Sequence, residues 1–198
     1  MFNENRPSAV KSFRAAALLG AALVGVAIVF TGAVHAETGD EAGAPGSWQQ
    51  HKFTFNYMGF TSIYSCNGLE DKLRLLLQLS GAGPNRHDVK VSSPCVFGIG
   101  RPDKLAMADL TFSSLQPAAS ADGAPVGAWR HVALTPNHPF ELGRGDCELI
   151  EEFRDKVLPM FTTRNVVNDI TCVPHQDSGS NYSLSFDVFA PLVPPKKS

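Results

Sequence analysis

The sequence predicts an α+β domain in which two β-α-β-β units pack two helices on one face of an antiparallel sheet of about six strands, a ferredoxin-like arrangement. Three observations predict it. Alternating apolar runs such as Phe53, Phe55, Tyr57 and Tyr182, Leu184, Phe186, Val188 have the two-residue period of half-buried strands. Two segments have helical spacing instead. Each half of the mature region shows the same succession of these patterns, and its cysteines fall at matching places.

The first 36 residues precede that domain. Arg6, Lys11 and Arg14 stand before an uncharged run, Ala15 to Phe30, and Val34 and Ala36 are small residues at −3 and −1 of a cleavage site. A positive region, an apolar region and a small-residue site make an export signal, so residues 1–36 are expected to be removed. The membrane is then met only through that segment before cleavage, and the protein is expected to be periplasmic or secreted. The remaining 162 residues suffice for one domain with a real core. They carry 14 Lys and Arg against 18 Asp and Glu, net −4 with His neutral. Such a balance lacks the basic footprint of a nucleic-acid binder.

Residues 37–50 are expected to be a small, polar, acidic linker. The first unit, residues 51–115, begins with the strand around Phe53–Tyr57. Leu69, Leu73, Leu76 and Leu77 then share one helical face, and "GAGPN" ends the helix. "HDVKVSSPC" and "LAMADLTFSSL" read as two strands. "QPAASADGAPVG" breaks the chain at residues 116–127. In the second unit, residues 126–190, "AWRHVALTP" is a strand. Ile150, Phe153, Val157 and Met160 share a helical face that Asp146 is placed to cap. "RNVVNDITC" and "YSLSFDVFA" are the closing strands. The proline-rich tail, 191–198, holds no regular element.

Cys66 and Cys147 each open a helix, with an aliphatic residue at +3 and a glutamate at +4; Cys95 and Cys172 each end the strand after it. An even number of cysteines in an exported chain reads as disulfides. The shared register selects Cys66–Cys95 and Cys147–Cys172 from the three possible pairings. A helix N-terminus also lowers a thiol pKa, so Cys66 or Cys147 as a reactive thiolate is the competing reading, with metal ligation as a third.

The stretch "GFTSIYSCNGLEDKLRLLLQLSGA" resembles the opening of heavy-metal-associated copper-chaperone domains, where a G-M-x-C-x-x-C loop follows a strand and starts a helix. Gly59-Phe60 and Cys66-Asn67-Gly68-Leu69-Glu70 match part of that motif. Ile63 stands where the first cysteine would fall, and a two-coordinate Cu(I) site needs two thiolates. The resemblance therefore implies a ferredoxin-like topology more than a metal function. More broadly, the chain resembles exported proteobacterial proteins without an assigned activity.

Other chemistry is sparse. His51, His87, His131, His138 and His175 form neither H-x-x-x-H nor H-E-x-x-H. His175 lies three residues beyond Cys172, which could serve a metal. Gly98 and Gly100 lack the third glycine and following helix of a nucleotide loop. Glu148, Glu151, Glu152 and Asp155 read as a solvated acidic face favoured by the helix dipole. "RGD", Arg144–Asp146, reads as loop and helix cap rather than as an adhesion signal. The function expected is a non-catalytic binding or envelope-associated module without a cofactor, its partner a protein or small ligand of the cell envelope. The alternatives are a metal-handling protein using Cys66, Cys147 and His175, or a hydrolase using a carboxylate or thiol.

Overall fold

A computed structural model describes residues 43–83, 88–93, 102, 105–119 and 123–192. The sequence segment expected as an export signal, the tail beyond residue 192 and Cys95 lie outside the described residues.

The described chain is α+β, with a six-stranded antiparallel sheet and two helices. The order is β1 (Ala44–Met58), α1 (Cys66–Leu79), β2 (Lys90–Ser92), β3 (Leu105–Pro117), β4 (Val126–Leu134), α2 (Cys147–Lys156), β5 (Thr163–Thr171) and β6 (Asn181–Pro191). Across the sheet the strands run β2-β3-β1-β4-β6-β5. β1 and β3 pair along their length, from Gly46 opposite Pro117 to Met58 opposite Leu105. β4 and β6 pair from Gly127–Pro191 to Leu134–Leu184. Among the described residues the two three-stranded halves pair as strands only where Ala44 and Pro45 meet Gly127 and Val126.

β1 starts inside the stretch expected to be linker. Gly46 donates to the Pro125 carbonyl and Ala118 to the Pro45 carbonyl, so the backbone of 44–50 finds ladder partners despite its small residues. Ser65 caps α1, its hydroxyl accepting from the Gly68 amide at 3.2 Å. Gly81, at φ +82°, turns the chain out of α1; a side chain there would strike Ala190. α2 is shorter than its apolar periodicity suggests. Pro159 cannot continue it, and a 3-10 turn, Leu158–Met160, takes over.

Both helices bury their apolar sides in one core. Leu69, Leu73, Leu76 and Leu77 of α1 and Leu149, Ile150 and Phe153 of α2 meet the inward side chains of the strands, among them Phe55, Tyr57, Leu110, Tyr182 and Phe186. Sheet alternation sends the intervening residues, such as Lys52, Thr54, Asp109 and His131, to the opposite face, which neither helix covers.

Candidate functional site

The helix starts and the open sheet face gather the polar chemistry of the molecule. At the helix starts, two carboxylates of the second half reach into the first. Asp146 is buried and accepts from the Tyr64 hydroxyl, from Lys72 Nζ at 2.7 Å and from the Gly143 amide at 2.6 Å. Glu148, also buried, accepts from the Phe60 and Thr61 amides at 2.8 and 3.0 Å. The Thr61 hydroxyl lies 3.2 Å from Glu148 Oε1 and 3.1 Å from the Val173 carbonyl, so its single proton serves both. Strand pairing between the halves stops after two residue pairs, and these side chains close the seam that the ladder leaves open.

The protein's three tyrosines, Tyr57, Tyr64 and Tyr182, surround these carboxylates. Burial, then the charge of Glu148, Glu152 and Asp146, pushes the Tyr57 phenol above its ordinary range. Burial and then Asp146 do the same to Tyr64 and Tyr182. The loop between β1 and α1 has no slack. A Cβ at Gly59 would strike the Ser62 carbonyl and the Tyr57 hydroxyl, whose proton already goes to that carbonyl.

This geometry corrects several sequence expectations. Glu148 does not belong to a solvated acidic face; only Glu151 and Asp155 do, paired with Arg154. Glu152 is bonded to Lys156, and its Oε1 accepts weakly from the Met58 amide. Asp146 makes no side-chain cap bond to α2, because Tyr64 and Lys72 claim its oxygens. Its burial also closes the RGD letters to any outside receptor.

Cys147 is bonded to Cys172, with Cα atoms 5.6 Å apart, as the register symmetry predicts. Cys147 is therefore no thiolate ligand, and among the described residues no cysteine is free. The pairing expected for Cys66 involves Cys95, outside the described residues. His175 packs edge-on against Phe60, and among the described residues no three His, Cys, Asp or Glu side chains are placed to hold a metal ion.

One arrangement imitates a nucleophilic dyad. His51 Nε2 lies 2.8 Å from Ser114 Oγ. The Ser114 proton, however, goes to the Met160 carbonyl at 2.8 Å, while Gln116 Nε2 donates to Ser114 Oγ at 3.1 Å. The imidazole therefore donates to the serine instead of removing its proton, the reverse of what nucleophile activation needs. Burial also lowers the His51 pKa below its ordinary value.

The open sheet face carries two features. At one corner Met58 stands directly opposite Leu105, with Met107 two residues along β3; they are 53, 62 and 43% exposed. Beside them lies a shallow depression of about 260 Å³ edged by Lys52, Thr54, Asp109 and Thr111. In the second half, the Arg164 guanidinium sits 4.2 Å over the Trp129 ring. Asp187 accepts from His131 Nδ1 at 2.9 Å, from Asn165 Nδ2 at 2.8 Å and from Arg164 Nε at 3.4 Å. The His131 bond, then those of Asn165 and Arg164, hold the Asp187 carboxyl below its ordinary range. Sequence reasoning passed over Trp129, Arg164 and Asp187. The signal available was their position, polar or aromatic residues on the outward phase of three strands that become neighbours.

Compared with known family models, curated proteins and solved structures, the chain matches none.

Proposed function

We propose that the protein is an exported, disulfide-stabilised, non-catalytic module that binds a protein of the cell envelope through its open sheet face. The observation that carries this reading is the exposed apolar corner of Met58, Leu105 and Met107, bordered on the same face by Lys52, Thr54 and Asp109. Two methionines supply an adaptable contact surface, and an exposed apolar cluster rimmed by polar side chains is typical of protein recognition. The face is broad and shallow, which suits a protein better than a small molecule. The commitment of Asp146, Glu148, His51 and Ser114 to internal bonds supports a structural role for the groups that most resemble catalytic ones. The disulfide and the N-terminal signal pattern support residence outside the cytoplasm.

The finer architecture belongs to the same proposal. Both halves run strand, helix, strand, strand, and the strand order places β1 beside β4, flanked by β3 and β6, then β2 and β5. That mirrored order supports a duplicated β-α-β-β unit.

Site-specific photocross-linking tests the binding reading. A photoreactive residue replacing Met107 in exporting cells should give a discrete adduct. The same residue at Asp71, exposed on α1, should give none. Equal adducts at both positions, or none at Met107, would reject the sheet face as the contact surface.

A further inference from the structure

The corner that carries the binding reading also holds the chain's accessible sulfur. Apart from Met1, the methionines are Met58, Met107 and Met160. Met58 and Met107 are 53 and 43% exposed. Met58 stands opposite Leu105 and Met107 opposite Asn56, which makes the two methionines diagonal neighbours on β1 and β3. Diagonal neighbours lie roughly 7 to 8 Å apart, within reach of long side chains. Met160 instead packs, partly buried, against the core. Among the described residues no cysteine is free. The two corner thioethers are therefore the described sulfur atoms most open to an oxidant outside the cytoplasm.

A peroxide oxidises a thioether without help from the protein. A sulfur lone pair attacks one peroxide oxygen, and the O–O bond breaks as the S–O bond forms. With a proton transfer, the other oxygen leaves as water. Sulfur gives up two electrons and the peroxide takes them. A thiol-dependent sulfoxide reductase reverses the change, removing the oxygen as water while two thiols become a disulfide. The product alters the corner in kind: a flexible apolar side chain becomes polar. Pressed against an apolar partner surface, the sulfoxide oxygen loses its water without a replacement. The fold is not at stake, because neither Met58 nor Met107 belongs to the core cluster.

We propose that Met58 and Met107 form a reversible oxidation site through which peroxide switches off the contact between the open face and its envelope partner. The site rests on the binding reading above and supplies its regulation. Both thioethers sit in one small patch with Leu105, so one chemical event converts most of its apolar surface.

The test uses the purified chain with a photoreactive residue at Asn56, exposed and directly opposite Met107, which leaves all three corner side chains in place. After brief exposure to hydrogen peroxide, peptide mass spectrometry should find one oxygen added to Met58 and to Met107 well before Met160. Circular dichroism should be unchanged at that stage. Peroxide is then removed with catalase and the chain irradiated in an envelope extract of the native host. Untreated chain should give a discrete adduct, and oxidised chain about tenfold less. Met58→Gln with Met107→Gln, which imitates the polarity of the sulfoxides, should show the same loss without peroxide. Met160→Leu, away from the corner, should still lose its adduct on oxidation. Oxidation of Met160 ahead of the corner, an adduct that survives conversion of both corner methionines to sulfoxide or to glutamine, or a loss absent from Met160→Leu would overturn the oxidation site and leave the binding reading standing. No adduct from untreated chain would overturn both.

Discussion

Lys72 Nζ and Asp146 Oδ2 stand 2.7 Å apart, the lysine projecting from α1 and the aspartate from the turn that opens α2. Their contact ties the two halves of the sheet together at the end where strand pairing does not. Lysine is 24% exposed and aspartate 7%, so the pair is shielded on one side only. Asp146 also receives Tyr64 and the Gly143 amide, which makes it the more consequential partner.

Removing Asp146 should therefore cost more than removing Lys72. Asp146→Ala leaves a buried phenol, an amide and an ammonium without their acceptor, a loss of about 3 kcal/mol. Lys72→Met removes a partly solvated charge and should cost about 1 kcal/mol. Urea unfolding of the two variants measures both. A cost below about 1 kcal/mol for Asp146→Ala, the range of an exposed ion pair, would show that the seam does not hold the halves.

The tyrosines set an alkaline limit on stability. All three phenols are raised in the folded state, by burial first and by the nearby carboxylates second. A raised folded pKa means that the unfolded chain loses these protons first. The stabilisation is thus complete below the ordinary tyrosine value of 10.0 and is lost as pH rises above it. Tyrosinate absorbance should stay flat as pH passes 10 and then rise together with loss of circular dichroism. Gradual ionisation near that ordinary value in a protein that remains folded would contradict the burial of these hydroxyls.

The Cys147–Cys172 bond closes a loop with a sequence separation of 25. On the chain-entropy account, replacing both cysteines by serine costs about 3 to 4 kcal/mol. The thermal midpoint should drop, and the photocross-link at Met107 should survive at a temperature where the variant is folded. Loss of the adduct in a folded variant would give the disulfide a part in binding beyond stapling.

The elements were legible where local periodicity carried them. The four leucines of α1 lie on one buried face, and Tyr182, Leu184, Phe186 and Val188 all point inward from β6. The environment of a carboxylate was not legible. Glu148 and Glu151 are both glutamates in the first turns of α2, yet one is buried and the other solvated. What separates them is the loop at Phe60 and Thr61, 88 and 87 residues away in the chain.

By itself, the sequence determined the succession of strands and helices and the pairing of Cys147 with Cys172. Apolar spacing and residue register are properties of a short stretch, and they survive whatever the rest of the chain does. Only the tertiary structure decided that residues 44–50 form strand, that Asp146 turns from helix cap to cross-half anchor, and that His51 donates to Ser114. Each depends on which distant backbone or hydroxyl comes within hydrogen-bonding reach. A strand needs a neighbour to satisfy its amides, and a buried charge needs a donor to replace water; both partners are chosen by folding and not by sequence position.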